Sequence, residues 1–197
     1  MKELLAMKVV GLVCSPRKSG NTEILVREAL AAVEEAGGET ELITVAGKKI
    51  AGCDGCESCL ATGVCRIEDD MQYIYQALIS ADGVIFGTPV YFANVTSQAK
   101  AVLDRTYCML FTKKLRGKVA AGIVATYRMG GSQVLSLLDF FFVNQRMLVA
   151  GGAIGYGWAK GEVREGPGAW EPSALEEARA VGRGVVRLIG RLENSKS

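Results

Sequence analysis

Cys53, Cys56, Cys59 and Cys65 lie within thirteen residues, spaced C-x2-C-x2-C-x5-C. A hydrophobic core has no need of thiols at that density. Three sulfurs at three-residue steps can bind three corners of one small inorganic cube, and the fourth can close it. An iron–sulfur cluster is therefore the leading reading. Zinc competes, but structural zinc sites usually pair two short Cys-x2-4-Cys units across a longer spacer, which this segment lacks. Thiols that bind nothing, or that form redox disulfides, are the third reading. Lys48, Lys49 and Arg66 flank the segment and would offset thiolate charge, if they do not simply face water. Cys14 and Cys108 have apolar neighbours and read as small core residues.

A second segment, Cys14-Ser15-Pro16-Arg17-Lys18-Ser19-Gly20-Asn21-Thr22, joins an apolar run to a helical pattern. Short hydroxyls, an amide and a glycine at such a turn leave backbone N–H groups free to surround an anion. The helix start adds partial positive charge, and Arg17 and Lys18 add full charges. The loop lacks both the Walker and the G-x-G-x-x-G patterns, so a single terminal phosphate, as in FMN, fits it best. A plain helix cap by Ser19, Asn21 or Thr22 is the alternative. Two further loops bear on the same ligand. Gly87-Thr88-Pro89-Val90-Tyr91-Phe92-Ala93-Asn94 has a stiffening proline and two aromatics able to pack on a flavin ring or on the sheet edge. Thr126-Tyr127-Arg128-Met129-Gly130-Gly131-Ser132-Gln133 has paired glycines that allow close backbone approach.

The elements that must position these loops alternate. Apolar runs at Lys8–Cys14, Glu41–Val45, Gly83–Gly87, Lys118–Thr126 and Met147–Ile154 read as strands. Amphipathic stretches at Asn21–Ala36, Asp69 or Asp70 to about Ser80, Val95–Leu110, Ser132–Gln145 and Pro172–Leu192 read as helices. Alternation predicts an α/β three-layer sandwich on a five-stranded parallel sheet, in the flavodoxin-like order 2-1-3-4-5. The ligand site then lies at the carboxyl edge, between strands one and three. Because strand two neighbours strand one, the cysteine segment, spanning about residues 50–68, is expected at that same edge. Residues 1–197 read as one domain, with Gly157–Pro172 as a surface loop carrying Trp158 and Trp170.

Composition removes other classes. The chain has 197 residues, 49% apolar and 22% charged, with formal net charge +2 and no histidine. Histidine-based metal sites and Ser-His-Asp chemistry are excluded. No basic tail points to nucleic acid. No apolar run is long enough to span a bilayer, since Phe140–Gly155 is broken by Asn144, Gln145 and Arg146. No signal peptide is visible, so a cytoplasmic location is expected, where clustered cysteines favour metal or redox chemistry over disulfides. Asp69-Asp70 reads as a helix cap rather than a catalytic pair. Arg179, Arg183, Arg187 and Arg191 recur every four residues on the last helix. That stripe is either a solvated face or a dock for an acidic carrier such as ferredoxin.

Together the Ser15–Thr22 loop, the four cysteines with Asp69-Asp70-Met71, and Thr88-Pro89-Val90-Tyr91 resemble the iron–sulfur flavoproteins within the NADPH-dependent FMN reductase group. The resemblance runs through about residues 7–155 in motif order. It implies one FMN and one [4Fe–4S] cluster per subunit, in a homodimer or homotetramer. It implies electrons taken from ferredoxin or a similar donor and passed to a small acceptor such as oxygen or peroxide. It assigns the cluster to Cys53, Cys56, Cys59 and Cys65, and the phosphate to Ser15, Arg17, Ser19, Asn21 and Thr22, with Lys18 and Gly20 in the same loop. Pro89, Val90, Tyr91 and Phe92 would contact the ring, with Thr88 and Asn94 beside them, and Arg128, Gly130 and Gly131 would approach from the third loop. The protein would supply position and electrostatics rather than a catalytic acid or base. An NAD(P)H-dependent FMN or quinone reductase with bystander thiols is the alternative.

Overall fold

A computed structural model of the chain describes residues 7–157, 159–163 and 173–195. Trp158, Trp170 and residues 164–172 of the expected surface loop lie outside these. Five strands, β1 (Lys8–Val13), β2 (Glu39–Thr44), β3 (Gly83–Pro89), β4 (Val119–Thr126) and β5 (Leu148–Tyr156), form one sheet of order 2-1-3-4-5. Every pairing is parallel. β3 is buried up to Thr88 and β4 along its whole length, as expected for central strands covered on both faces. The edge strand β5 slips register against β4 between Ala120 and Ala121.

The helices divide between the two faces. α1 (Asn21–Glu35) and α7 (Ala174–Asn194) cover one face through Leu25, Val26, Ala29, Val181, Val185 and Ile189. The other face carries α3 (Met71–Ser80), α4 (Ser97–Arg105) and α6 (Gly131–Asn144), through Met71, Ile74, Val102, Leu138 and Phe142. A short α2 (Ser58–Thr62) interrupts the cysteine segment, which the sequence pattern gave no cause to expect. The single helix expected at Val95–Leu110 is two, α4 and α5 (Tyr107–Phe111), broken at Thr106. Thr106 turns its hydroxyl back to the Leu103 carbonyl at 2.7 Å and receives Gln145 Nε2 at 3.0 Å, and this side-chain bonding fixes the break. Among the described residues no helix is long and apolar enough to cross a membrane.

α1 and α7 meet at Gly182, where a Cβ would lie 2.1 Å from the Ala29 carbonyl oxygen. That atom belongs to a helix backbone and cannot step aside. Gly182→Ala should therefore destabilise the fold by about 1–3 kcal/mol. Gly190→Ala, on the same helix with open space around its Cβ, should stabilise by about 0.5–1 kcal/mol. Urea denaturation of the two variants checks the contrast; equal shifts would mean the close approach is not limiting.

Candidate functional site

Two cavities hold the chemistry. The first, of about 310 Å3, opens beyond the carboxyl ends of β1, β3, β4 and β5, at the point where the strand order reverses. Ser15, Arg17, Gly20, Asn21 and Thr22 line one side of it. α1 begins there without a side-chain cap; its first backbone bond runs from Ile24 N–H to the Gly20 carbonyl. The preceding N–H groups of the first turn are thus left for an anion. Ser15 Oγ accepts the Arg17 N–H at 3.1 Å. Asn21 donates to the Ala159 carbonyl at 3.1 Å, while its Oδ1 is buried without a partner. A buried orphan acceptor beside free helix-start donors suits a ligand that carries both hydroxyls and a phosphate, so the residues fit FMN.

The phosphate loop is shaped by a residue the sequence reading passed over. Ser19 sits in the left-handed region at φ 52° and donates its N–H to Glu23 at 2.8 Å. Glu23 also accepts from Arg27 at 2.8 and 3.0 Å. Burial raises the Glu23 carboxyl, but Arg27 and the Ser19 N–H outweigh it and hold the group below its ordinary value. A glutamate four residues after a loop serine, ahead of an arginine at i+4, was the available signal.

Pro89, Val90 and Tyr91 line the opposite wall. Lys18, Ser19, Thr88, Phe92, Asn94, Arg128, Gly130 and Gly131 are not brought into it. Lys18 lies out beside Gly47, and Thr88 is fully buried with its hydroxyl turned to the Pro89 carbonyl. Tyr91 and Asn94 exchange backbone bonds across a tight turn, which lifts Phe92 to φ 49° and full exposure. The Asn94 side chain is occupied by the Val95 N–H at 2.8 Å. Arg128 is exposed. Gly130, at φ 88°, meets the second loop instead of the cavity: a Cβ there would lie 2.9 Å from Val90 and 3.0 Å from the Ala93 backbone. Gly131 is packed against Ile154. In their place Thr126 and Tyr127 line the wall, and Gly157, Ala159 and Lys160 come from the loop after β5. Since β5 ends at the same edge as β1, β3 and β4, that fourth loop should have been counted from the alternation alone.

The second cavity, of about 390 Å3, is lined by all four clustered cysteines. They are free; Cys53 and Cys56 are exposed, Cys59 and Cys65 partly covered. Left-handed conformations at Gly55, Glu57 and Gly63 fold the segment back on itself around α2. Asp54 accepts the Cys56 N–H at 3.3 Å and pairs with Arg66, joining the two limbs. Hydrogen bonds from Ser58, then Arg66, hold the Cys56 thiol below its ordinary value. Burial pushes Cys59 up, and the nearby Cys65, Cys53 and Cys56 add to it, so the four sulfurs sense one another. A cation or cationic cluster relieves that mutual repulsion. Among the described residues no three Cys, Asp or Glu side chains converge closely enough to hold one metal ion.

Cys108 also lines this cavity, with Tyr107, Leu110, Phe141 and Gln145. The first two belong to α5, whose chain runs on to the start of β4, and Gln145 follows the end of α6. The cavity therefore lies on the α3–α6 face of the sheet. It has no lining residue in common with the phosphate-loop cavity. Residues 45–57 carry the cysteines away from the end of β2 and along the helix layer.

Arg105 fastens the segment there. Its side chain has no exposure, and Asp69 meets it bidentately at 2.7 and 3.1 Å. The guanidinium also donates to the Ala51 and Ile67 carbonyls, both at 3.0 Å, and Asp69 accepts the N–H groups of Ala51 and Met71. One ion pair thus ties both ends of the cysteine segment to α4. Burial raises the Asp69 carboxyl, but Arg105 and the two N–H donors hold it below its ordinary value. Asp70 occupies the N-cap position of α3, but its side chain accepts the Lys49 N–H. Arg105 was missed because pairing is a tertiary fact; an arginine on the apolar face of Val102 and Cys108 was its only trace.

The family described as NADPH-dependent FMN reductase matches this chain over residues 7–159. An iron–sulfur flavoprotein of Methanocaldococcus jannaschii is 38% identical over 193 residues, covering 93% of this chain and 97% of its own length. An iron–sulfur flavoprotein of Archaeoglobus fulgidus is 41% identical over 152 residues, covering 75% of this chain and 77% of its own. The solved structure of RosB with bound 8-demethyl-8-formylriboflavin-5'-phosphate is similar in fold, with TM-score 0.75 at 21% identity, covering 98% of this chain and 82% of that one.

Asp69→Asn removes the charge facing a buried guanidinium and should cost about 3–5 kcal/mol at neutral pH. Because the Asp69 carboxyl is depressed in the fold, its contribution is fully present above its ordinary value and is lost as pH falls through the folded value. The gap between wild type and variant should hold from pH 7 to about pH 4 and close below that. Denaturation midpoints measured across pH check this; a gap that narrows already at pH 6 would assign the effect elsewhere.

Proposed function

Because this chain belongs to the NADPH-dependent FMN reductase family and, within it, to the iron–sulfur flavoproteins, we propose that it relays electrons from a ferredoxin-type donor, through a [4Fe–4S] cluster on Cys53, Cys56, Cys59 and Cys65, to FMN and on to a small acceptor such as oxygen or peroxide. The protein is an FMN-dependent oxidoreductase of the electron-transfer type. The observation that carries the finer reading is the convergence of four free thiols on one cavity.

When bound, the cluster supplies one-electron exchange and the flavin adds the capacity for two-electron chemistry. The chain's own residues supply position and field. The uncapped start of α1 and Arg17 would hold the phosphate, and Pro89, Val90 and Tyr91 would border the ring. Arg66 and the buried Arg105 lie against the thiol cavity and favour its anionic state. No side chain in either cavity is required as acid or base. The two cavities share no lining residue, which leaves room for passage between copies of the chain. Exposed Phe140, Val143, Leu148 and Val149 on α6 and β5 support the homodimer or homotetramer that such passage needs. Clustered free thiols support a reducing, cytoplasmic setting. The family's description favours one other reading, an NAD(P)H-dependent FMN or quinone reductase without a working cluster.

Protein purified without oxygen should show broad brown absorbance and about four irons per chain. Cys56→Ala should lose the brown colour and keep its flavin; loss of both would make the segment a folding element. Bleaching by reduced ferredoxin but not by NADPH supports the relay. Rapid bleaching by NADPH alone, in yellow protein without iron, supports the reductase.

A further inference from the structure

Four cations beside the thiol cavity are left without acidic partners. Lys113, Lys114, Arg116 and Arg146 are exposed, and none forms an ion pair among the described residues. They are also held in place. Leu115, 2% exposed, plugs into the core between them and turns its neighbours outward. Lys114 donates its N–H to the Met109 carbonyl at 3.1 Å, Arg116 to Lys113 at 3.2 Å, and Gly117 to Arg146 at 2.9 Å. The loop and Arg146 therefore form one patch.

Apolar side chains stand next to it. Leu60, Val64 and Phe111 are 48%, 60% and 50% exposed. The cysteine segment touches the patch directly, for a Cβ on Gly63 would lie 2.5 Å from Thr112 Cγ2. On the other side, Tyr107 and Leu110 of the same helix line the thiol cavity. The acidic groups nearby are Asp54, already paired with Arg66, Asp104, paired with Lys100, and Glu57 and Glu68 on the cysteine segment. An apolar centre with an unneutralised basic rim, one side chain away from the thiols, has the form of a docking surface for an acidic protein.

The first half of the α7 stripe is neutralised, and the whole stripe lies away from the cysteines. Arg179 is engaged by Glu28 and Glu35, and Arg183 by Glu176. α7 also lies with α1, across the sheet from the cysteines. We propose that an acidic one-electron carrier docks on Leu60, Val64 and Phe111, rimmed by Lys113, Lys114, Arg116 and Arg146, and delivers its electron at the thiol cavity. The carrier is oxidised by one electron, the cysteine-held centre is reduced by one, and no proton or group moves. This rests on the relay reading.

The test uses the iron-loaded holoprotein with a reduced acidic bacterial-type ferredoxin as probe, comparing Lys113→Glu/Lys114→Glu with an α7 control, Arg187→Glu/Arg191→Glu. Reduction of the double variant should slow about tenfold or more at low salt and converge with wild type at high salt, with the control unchanged. Carbodiimide cross-links, read by peptide mapping, should fall on Lys113 or Lys114. Flavin and iron contents and the melting temperature should match wild type. Equal rates for all three proteins, or cross-links mapping elsewhere, overturn the surface while leaving the relay intact. A change in oligomeric state on charge reversal also overturns it, by making the patch a contact between copies. Wild-type protein that carries its irons and is not reduced by ferredoxin at all sinks the relay reading, and the surface with it.

Discussion

A buried guanidinium decides where the cysteines are. Arg105 is withdrawn from water, and without Asp69 its charge would stand against several kcal/mol of lost hydration. The pair alone does not settle that cost. The Ala51 and Ile67 carbonyls take two more guanidinium N–H groups, and backbone N–H groups occupy the carboxylate. Those backbone partners belong to the two ends of the cysteine segment, so satisfying the charge and closing the segment are one event. A glycine-rich excursion with little apolar content of its own could not otherwise hold a fixed position. Its few core contacts run through Ile50, Cys59 and Cys65.

The geometry of a parallel sheet separates the two kinds of chemistry. Every crossover returns the chain to the amino edge, so loops after strands collect at the carboxyl edge, where free N–H groups at the start of α1 face the phosphate site. Helix ends collect at the other edge; α5 and the end of α6 line the thiol cavity. β4 alone, from Val119 to Thr126, spans roughly 23 Å at about 3.3 Å per residue. The two cavities have separate linings on this one sheet.

Charge is distributed accordingly. Glu23 and Arg27 neutralise each other beneath the Ser15–Thr22 loop, while Arg17 lines the cavity. Arg179 and Arg183 lock α7 to α1 and to its own first turn. Sequence spacing shows the arginine stripe but is silent on the glutamates that face it from another helix. The basic residues around Leu115 form no ion pair among the described residues, and no periodicity singles them out.

The strand–helix alternation, the sheet order and the two motif segments were legible in the chain because they depend on near neighbours. Period reports burial, a run buried on both faces reports a parallel strand, and three-residue steps report thiols that can meet. Ser15, Arg17, Gly20, Asn21 and Thr22 came from such local signals, as did Pro89, Val90 and Tyr91. What lay beyond reach depends on contacts between distant segments. The turn at Tyr91–Asn94 puts Phe92 in solvent, Gly130 packs against Val90 and Ala93, and Arg105 finds Asp69 across 36 residues. Side-chain spacing states which groups can act together; only the packed chain, by burying some charges and leaving others in water, decides which of them do.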